Sequence, residues 1–221
     1  MAVNKEIISN KIAVIKTDKR LLEFEDKLHT APSWLYAHLH ANGEEGEDGE
    51  KKYSNIGVLI QDYSLGTGEN IKKATANLKP WECFYIFNKI NSGTTEFLYT
   101  TDKIFGVPDK EGYSKVVKIK IERREKMPNG VPARIPWQVQ INNGKGIADK
   151  VKTGGTMCRS GSFISEQLLF MSVSDEEMYR LFYSVTSFIT QWENAHCPAL
   201  IRLAKKTVEE KKSGGGNYYE Q

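Results

Sequence analysis

With 221 residues, 39% hydrophobic and 27% charged, the chain has the composition of an ordinary globular protein and room for one large or two small cores. No apolar run is long enough to cross a bilayer, and the opening MAVNKEIISNK lacks the basic-then-apolar layout of a secretion signal, so a cytoplasmic protein is expected. Net charge is only +3, but residues 42–50 hold five acids (Glu44, Glu45, Glu47, Asp48, Glu50), and outside them 31 basic residues face 23 acidic ones, which suits a polyanionic partner.

Residues 1–10 read as an N-terminal arm. KIAVIK at 11–16 opens a first half, 11–92, with a lysine-flanked strand and then the charged step Asp18-Lys19-Arg20. After a connection, Pro32-Ser33-Trp34 begins an alternating strand that runs into Asn42-Gly43, a hairpin signal because both residues tolerate positive φ. Two more strands fit at 53–62 and 70–78. A helix follows at once, with Pro80 in its first turn, where a missing N–H costs nothing.

Residues 93–112, with Gly93, Gly106, Pro108 and Gly112, read as a linker containing a short apolar piece at 97–99. The second half, 113–192, opens with KVVKIK at 115–120 and the charged step Glu122-Arg123-Arg124. Pro136-Trp137 then starts a strand that runs into Asn142-Asn143-Gly144, read as a second hairpin turn. Strands are expected at 146–152 and 163–173, and Ser174 with Glu177 forms a capping box for a helix.

Residues 77–90 align without a gap on 172–185, placing Leu78 on Val173, Glu82 on Glu177, Ile86 on Leu181 and Phe87 on Phe182. The expected fold class is therefore α+β, with the order strand, strand, strand, strand, helix written twice as tandem ββββα repeats. Residues 199–212 read as a basic helix and 213–221 as a flexible tail, so that 193–221 lies outside the repeats.

Catalytic motifs are missing. Cys83, Cys158 and Cys197 form neither a disulfide framework nor a CxxC pair. His38 and His40 have a spacing that can hold a metal, yet no further ligands lie nearby in sequence, so a structural role is expected and neither metal nor cofactor is. No nucleophile elbow, phosphate loop or zinc-protease motif appears, nor a recognisable acid–base pair, and a non-enzyme is expected.

Alternation assigns faces. With Ile56, Val58, Ile60, Ala74, Ala76, Leu78, Val117, Ile119 and Ile121 inward, Tyr53, Asn55, Gln61, Lys73, Thr75, Asn77, Lys118 and Lys120 point outward. Trp34, Tyr36 and His38 share one side of their strand. They form an outward aromatic stripe if the aliphatic side meets the helix, and core if the strand follows Trp137, Val139 and Ile141. Arg123, Arg124, Arg134, Lys145, Lys150 and Arg159 add cations at turns, as do Lys19, Arg20 and Lys152. Rings on a sheet, rimmed by cations, are what sequence-tolerant single-strand binding requires, because bases stack on rings while cations follow phosphates. An ordinary solvated sheet face would suit the same Lys, Thr and Asn residues.

The duplicated order resembles the PUR-domain and Whirly class of single-stranded nucleic-acid-binding proteins. The likeness is strongest where Arg159-Ser-Gly-Ser-Phe-Ile, a strand, Met171-Ser172-Val173-Ser174 and an aromatic-rich helix close the second half. That resemblance implies two repeats packed as a pseudo-symmetric intramolecular dimer, single-stranded DNA as partner, and homo-oligomers. The acidic loop departs from the class. The expected function is a single-stranded DNA-binding protein, with phage or plasmid replication as a setting that the Asn/Lys/Ile-rich composition suits. An RNA-binding regulator, or a protein-interaction module or inhibitor acting through residues 44–50, are the alternatives.

Overall fold

Two antiparallel sheets share one core in the computed structural model, which describes residues 9–32, 39–46, 48–66, 68–126, 130–152 and 154–213. The first half supplies β1 (Lys11–Lys16), β2 (Arg20–Lys27), a separate hairpin of β3 (Asn42–Glu45) and β4 (Lys51–Tyr53), then β5 (Asn55–Asp62), β6 (Lys72–Leu78) and α1 (Pro80–Asn91). The second supplies β7 (Phe97–Phe105), β8 (Tyr113–Arg123), β9 (Trp137–Lys150), a short β10 (Thr156–Cys158), β11 (Ile164–Val173) and α2 (Asp175–Ser213). The strand order is β1-β2-β5-β6 in one sheet. In the other, β7, β8, β9 and β11 lie side by side, and β10 also pairs with the far end of β9.

Alternation buries one face of each sheet. Leu22, Phe24, Ile56, Val58, Ile60, Ala74, Ala76 and Leu78 line the first, and Ile119, Ile121, Trp137, Val139, Ile141, Leu169, Met171 and Val173 the second. The helices begin where the capping residues stand. Pro80 occupies the first turn of α1 while the Lys79 N–H donates to the Glu82 carboxylate at 2.6 Å. At α2, Ser174 N–H donates to Glu177 at 3.0 Å and Glu177 N–H returns to Ser174 Oγ at 3.2 Å. Each helix reaches the sheet of the other half: Tyr85 of α1 packs on Phe97 and Tyr99 of β7, and Phe182 of α2 meets Phe24 of β2 edge-on at 5.3 Å.

The last strand of each sheet would leave its outer backbone groups bare, and side chains from the opposite sheet cover part of both edges. Asn143 of β9 accepts from the Thr75 N–H at 3.0 Å and donates to the Thr75 carbonyl at 2.8 Å, while Lys103 of β7 donates to the Asn77 carbonyl. In return, Arg20 of β2 donates to the Phe170 carbonyl of β11 at 2.8 Å. The Arg20 Nε also pairs with Asp62 at 2.9 Å. The Ser64 hydroxyl and N–H, together with Arg20, hold the Asp62 carboxyl at about 2.

Four strands followed by a helix occur in each half, with a membership that differs from the sequence expectation. Residues Arg20–Lys27, expected as a connection, form β2, in which Leu22 and Phe24 point inward and Glu23 and Glu25 point away. Residues Phe97–Phe105, expected as linker, form the edge strand β7, paired along its whole length with β8. Residues 115–120 accordingly belong to a second strand. Asn142-Asn143-Gly144 is no turn, because β9 continues through it with β8 alongside. Its glycines serve close approach: a Cβ on Gly144 would lie 2.1 Å from the Ile164 carbonyl oxygen, and one on Gly146 2.5 Å from Cys158 Sγ. Asn42-Gly43 is not the hairpin turn either, because β3 and β4 stay paired from Asn42 and Tyr53 out to Glu45 and Lys51. Residues 199–212 continue α2 through Pro198. The expected strand through Trp34, Tyr36 and His38 lies outside the described residues.

Asn143→Ala should lower the unfolding free energy by about 1–3 kcal/mol, as two hydrogen bonds are lost at a strand edge, measured by urea denaturation; an unchanged midpoint would refute this role. Asp62 titrates near 3.9 in an unfolded chain and at about 2 when folded. Its contribution is therefore whole above about pH 5 and is lost as pH falls toward about 2. Thermal melts of Asp62→Asn should accordingly fall less than wild type between about pH 7 and pH 3.

Candidate nucleic-acid interface

The helix-free face of the second sheet presents one row from each strand. Register places Leu98, Thr100 and Asp102 of β7 beside Glu122, Lys120 and Lys118 of β8, these beside Gln138, Gln140 and Asn142 of β9, and these beside Ser172, Phe170 and Leu168 of β11. Apolar side chains are left in water there: Leu98 is 61%, Leu168 48% and Phe170 39% exposed. A shallow depression of about 300 Å³ lies between β7 and β9, lined by Thr100, Asp102, Lys118, Lys120, Gln140 and Asn142.

Charge on this face is organised around its rings and acids. Lys118 Nζ sits 4.2 Å from the centre of the Phe163 ring, and the Arg20 guanidinium 4.5 Å from that of Phe170. Glu122 lies between Lys120 and Arg124, each at 2.7 Å. Burial works against its ionisation, but the hydrogen bonds from Lys120 and Arg124 prevail and hold the carboxyl below its usual range. Asn142 Oδ1 accepts from Ser165 Oγ at 2.6 Å, which leaves its amide N–H groups as donors. At Ser172 the face runs into a cleft of about 510 Å³ between the sheets, walled by Thr17, Lys19, Arg20, Asp62 and Ser64.

This surface brings together only part of the predicted set. Lys118 and Lys120 stand at its centre and Arg124 at its margin. Lys73 is exposed on the first sheet, whose corresponding face is partly closed, with Glu23 2% exposed and paired to Lys11 at 2.8 Å. Tyr53 is exposed on the β4 hairpin with its ring against Gly43. Arg123 lies on the helix side. It grips Asp175 at 2.9 and 3.0 Å beside the Trp137 indole N–H, which donates to the same carboxylate at 2.8 Å. Lys145 shares that side, 4.9 Å from the Tyr113 ring centre and within 4 Å of Asp109 and Glu111. Arg159 pairs with Asp149 at 2.8 Å, while Lys150 and Arg134 are exposed at a strand end and in a loop. Trp34, Tyr36 and His38 lie outside the described residues.

Sequence reasoning missed Gln138, Gln140, Asn142, Thr100, Phe163 and Phe170. Strict alternation from Trp137 would have found the amides had Asn-Asn-Gly not been taken for a turn. Phe170 alternates with the core residues Leu169 and Met171. Among the described residues no cluster of three or more His, Cys, Asp or Glu side chains is arranged to hold a metal.

No protein-family model matches the chain, and a search of curated proteins finds no match. Several solved structures align with the chain at low similarity. The plant transcriptional regulator PBF-2 aligns with TM-score 0.42 and 15% identity over 83% of this chain and 92% of its own. WHY3 from Arabidopsis thaliana aligns with TM-score 0.42 and 11% identity over 91% and 94%, and WHY1 from the same plant with TM-score 0.38 and 12% identity over 95% of both chains.

Proposed function

We propose that the open face of the second sheet binds single-stranded DNA with little sequence preference, as part of a non-enzymatic protein, with phage or plasmid replication as the setting its composition suits. The observation that carries this reading is one solvent-facing sheet surface with Lys118 and Lys120, the amides Gln138, Gln140 and Asn142, and the cation-capped rings Phe163 and Phe170. Lysines supply phosphate contacts, rings and the Arg20 guanidinium supply stacking, and the amides meet whichever base edge arrives. The resemblance of the sequence to the PUR-domain and Whirly class points the same way. On this reading the two sheet–helix units are copies of one module packed as an intramolecular pseudo-dimer.

Fluorescence anisotropy of a labelled oligo-dT tests the face. Neutralising about three phosphates gives a log–log salt slope of about −2, or roughly fourfold weaker binding when salt doubles. Phe170→Ala should weaken binding about tenfold, and Lys118→Ala with Lys120→Ala should flatten the salt slope, while Lys145→Ala on the opposite side of β9 changes neither. Absence of binding, or binding indifferent to salt, overturns the reading. Equal or tighter binding of matched oligo-U moves it to RNA.

Self-association belongs to the same proposal. Tyr179 and Tyr183 stack at 6.0 Å on α2, both touch Phe87 of α1, and they remain 45% and 54% exposed. Such an aromatic patch fits a second copy of the chain. Sedimentation velocity should show a species larger than one chain at micromolar concentration, and Tyr183→Glu should reduce it to a single chain; a wild-type monomer would rule this out.

A further inference from the structure

A further cavity, of about 310 Å³, opens where the base of the β3–β4 hairpin, the start of α1 and the middle of α2 meet. Among the described residues it shares no lining residue with the depression on the sheet face. One wall is apolar, made by Phe84 and by Trp81, a residue that is 60% exposed. The other wall is polar, made by His40, Ser54, Lys79 and Glu193.

The polar wall is a directed chain of hydrogen bonds. The His29 N–H donates to Ser54 Oγ at 3.1 Å, Ser54 Oγ lies 2.8 Å from His40 Nδ1, and His40 Nε2 lies 3.0 Å from Glu193 Oε1. An ionised carboxylate only accepts, so His40 Nε2 is the donor to Glu193, and the Ser54 hydroxyl partners Nδ1. Trp192 stacks on His40 at 5.0 Å and fixes the ring. Glu193 is thereby oriented through Oε1, and its carboxylate, still 31% exposed, lines the cavity. Lys79 brings the cation, with its Nζ 3.3 Å from Asn42 Oδ1.

We propose that this cavity binds a guanine nucleotide. A flat ring stacks on Trp81. A base edge that carries adjacent N–H donors meets the Glu193 carboxylate, and guanine presents two such donors together (N1–H and the 2-amino group). The phosphate meets Lys79. The volume is that of a small-ligand pocket. A free nucleotide and the end of a nucleic-acid strand carry the same chemistry, and the cavity could take either.

Isothermal titration of the whole chain with GMP, AMP, CMP, UMP and guanosine is the test. GMP should bind in the sub-millimolar range, about tenfold tighter than AMP, and guanosine should bind more weakly than GMP. Glu193→Gln keeps an acceptor for His40 Nε2–H, so the corner stays folded, yet it should abolish the preference for GMP. Trp81→Leu should weaken all the nucleotides. An oligo-dT with a 3′-terminal dG that binds tighter than plain oligo-dT only while Glu193 is present assigns the strand end as ligand. Failure of both GMP and the terminal dG to bind through Glu193 overturns the proposal, as does a guanine preference that survives Glu193→Gln. The Lys118→Ala, Lys120→Ala double variant should bind GMP as wild type does, so failure of the sheet-face reading would show separately.

Discussion

The architecture depends on how two strand edges are satisfied. A final strand has nothing beyond it to pair with, and bare N–H and C=O groups facing a protein interior are costly. Here each sheet turns that edge toward the other sheet. Asn143 imitates a neighbouring strand by giving and taking one hydrogen bond at Thr75, and Arg20 answers from the other side at Phe170. These contacts set how the sheets meet, and so which faces are left for solvent. The cleft beside Arg20 and the platform beside Phe170 both follow from that joint.

The open platform is less positive than its lysines suggest. Glu122 answers Lys120 and Arg124, Asp102 stands across from Lys118, and Asp62 holds Arg20. Long-range attraction for a polyanion is therefore modest. Specific short-range features remain: two rings capped by cations, a row of amides, and a hydroxyl-lined margin at Ser172. Charge that is already paired pulls less on a phosphate, which favours stacking contacts over phosphate contacts.

Much of this was legible in the sequence, for identifiable reasons. The helix starts at Pro80 and Ser174 are local signals, set by capping chemistry within a few residues, and they stand as read. The inward residues of β5 and β6, and Ile119 and Ile121 of β8, followed from period two. What failed was everything decided by distant partners. β2 and β7 carry charges or threonines that break an apolar run, and only pairing with β5 and β8 makes them strands. Asn142-Asn143-Gly144 has turn chemistry, but Asn143 is there for Thr75 and Gly144 for the Ile164 carbonyl. The Ser54–His40–Glu193 chain ties His40 to residues 14 and 153 positions away with neither motif nor spacing between them, and no pattern could have announced it.

The exchange of helices between the halves has a consequence for assembly. Neither half holds a complete core, because α1 needs β7 and α2 needs β2. As separate polypeptides they would be obligate partners, and their union would fade on dilution. The five residues 92–96 between α1 and β7 remove that dependence. A tether this short holds the partners at a high effective concentration, equivalent to millimolar or more. The joint then no longer depends on how much protein is present, and the outer faces of the two sheets, one open and one partly closed, are free to differ.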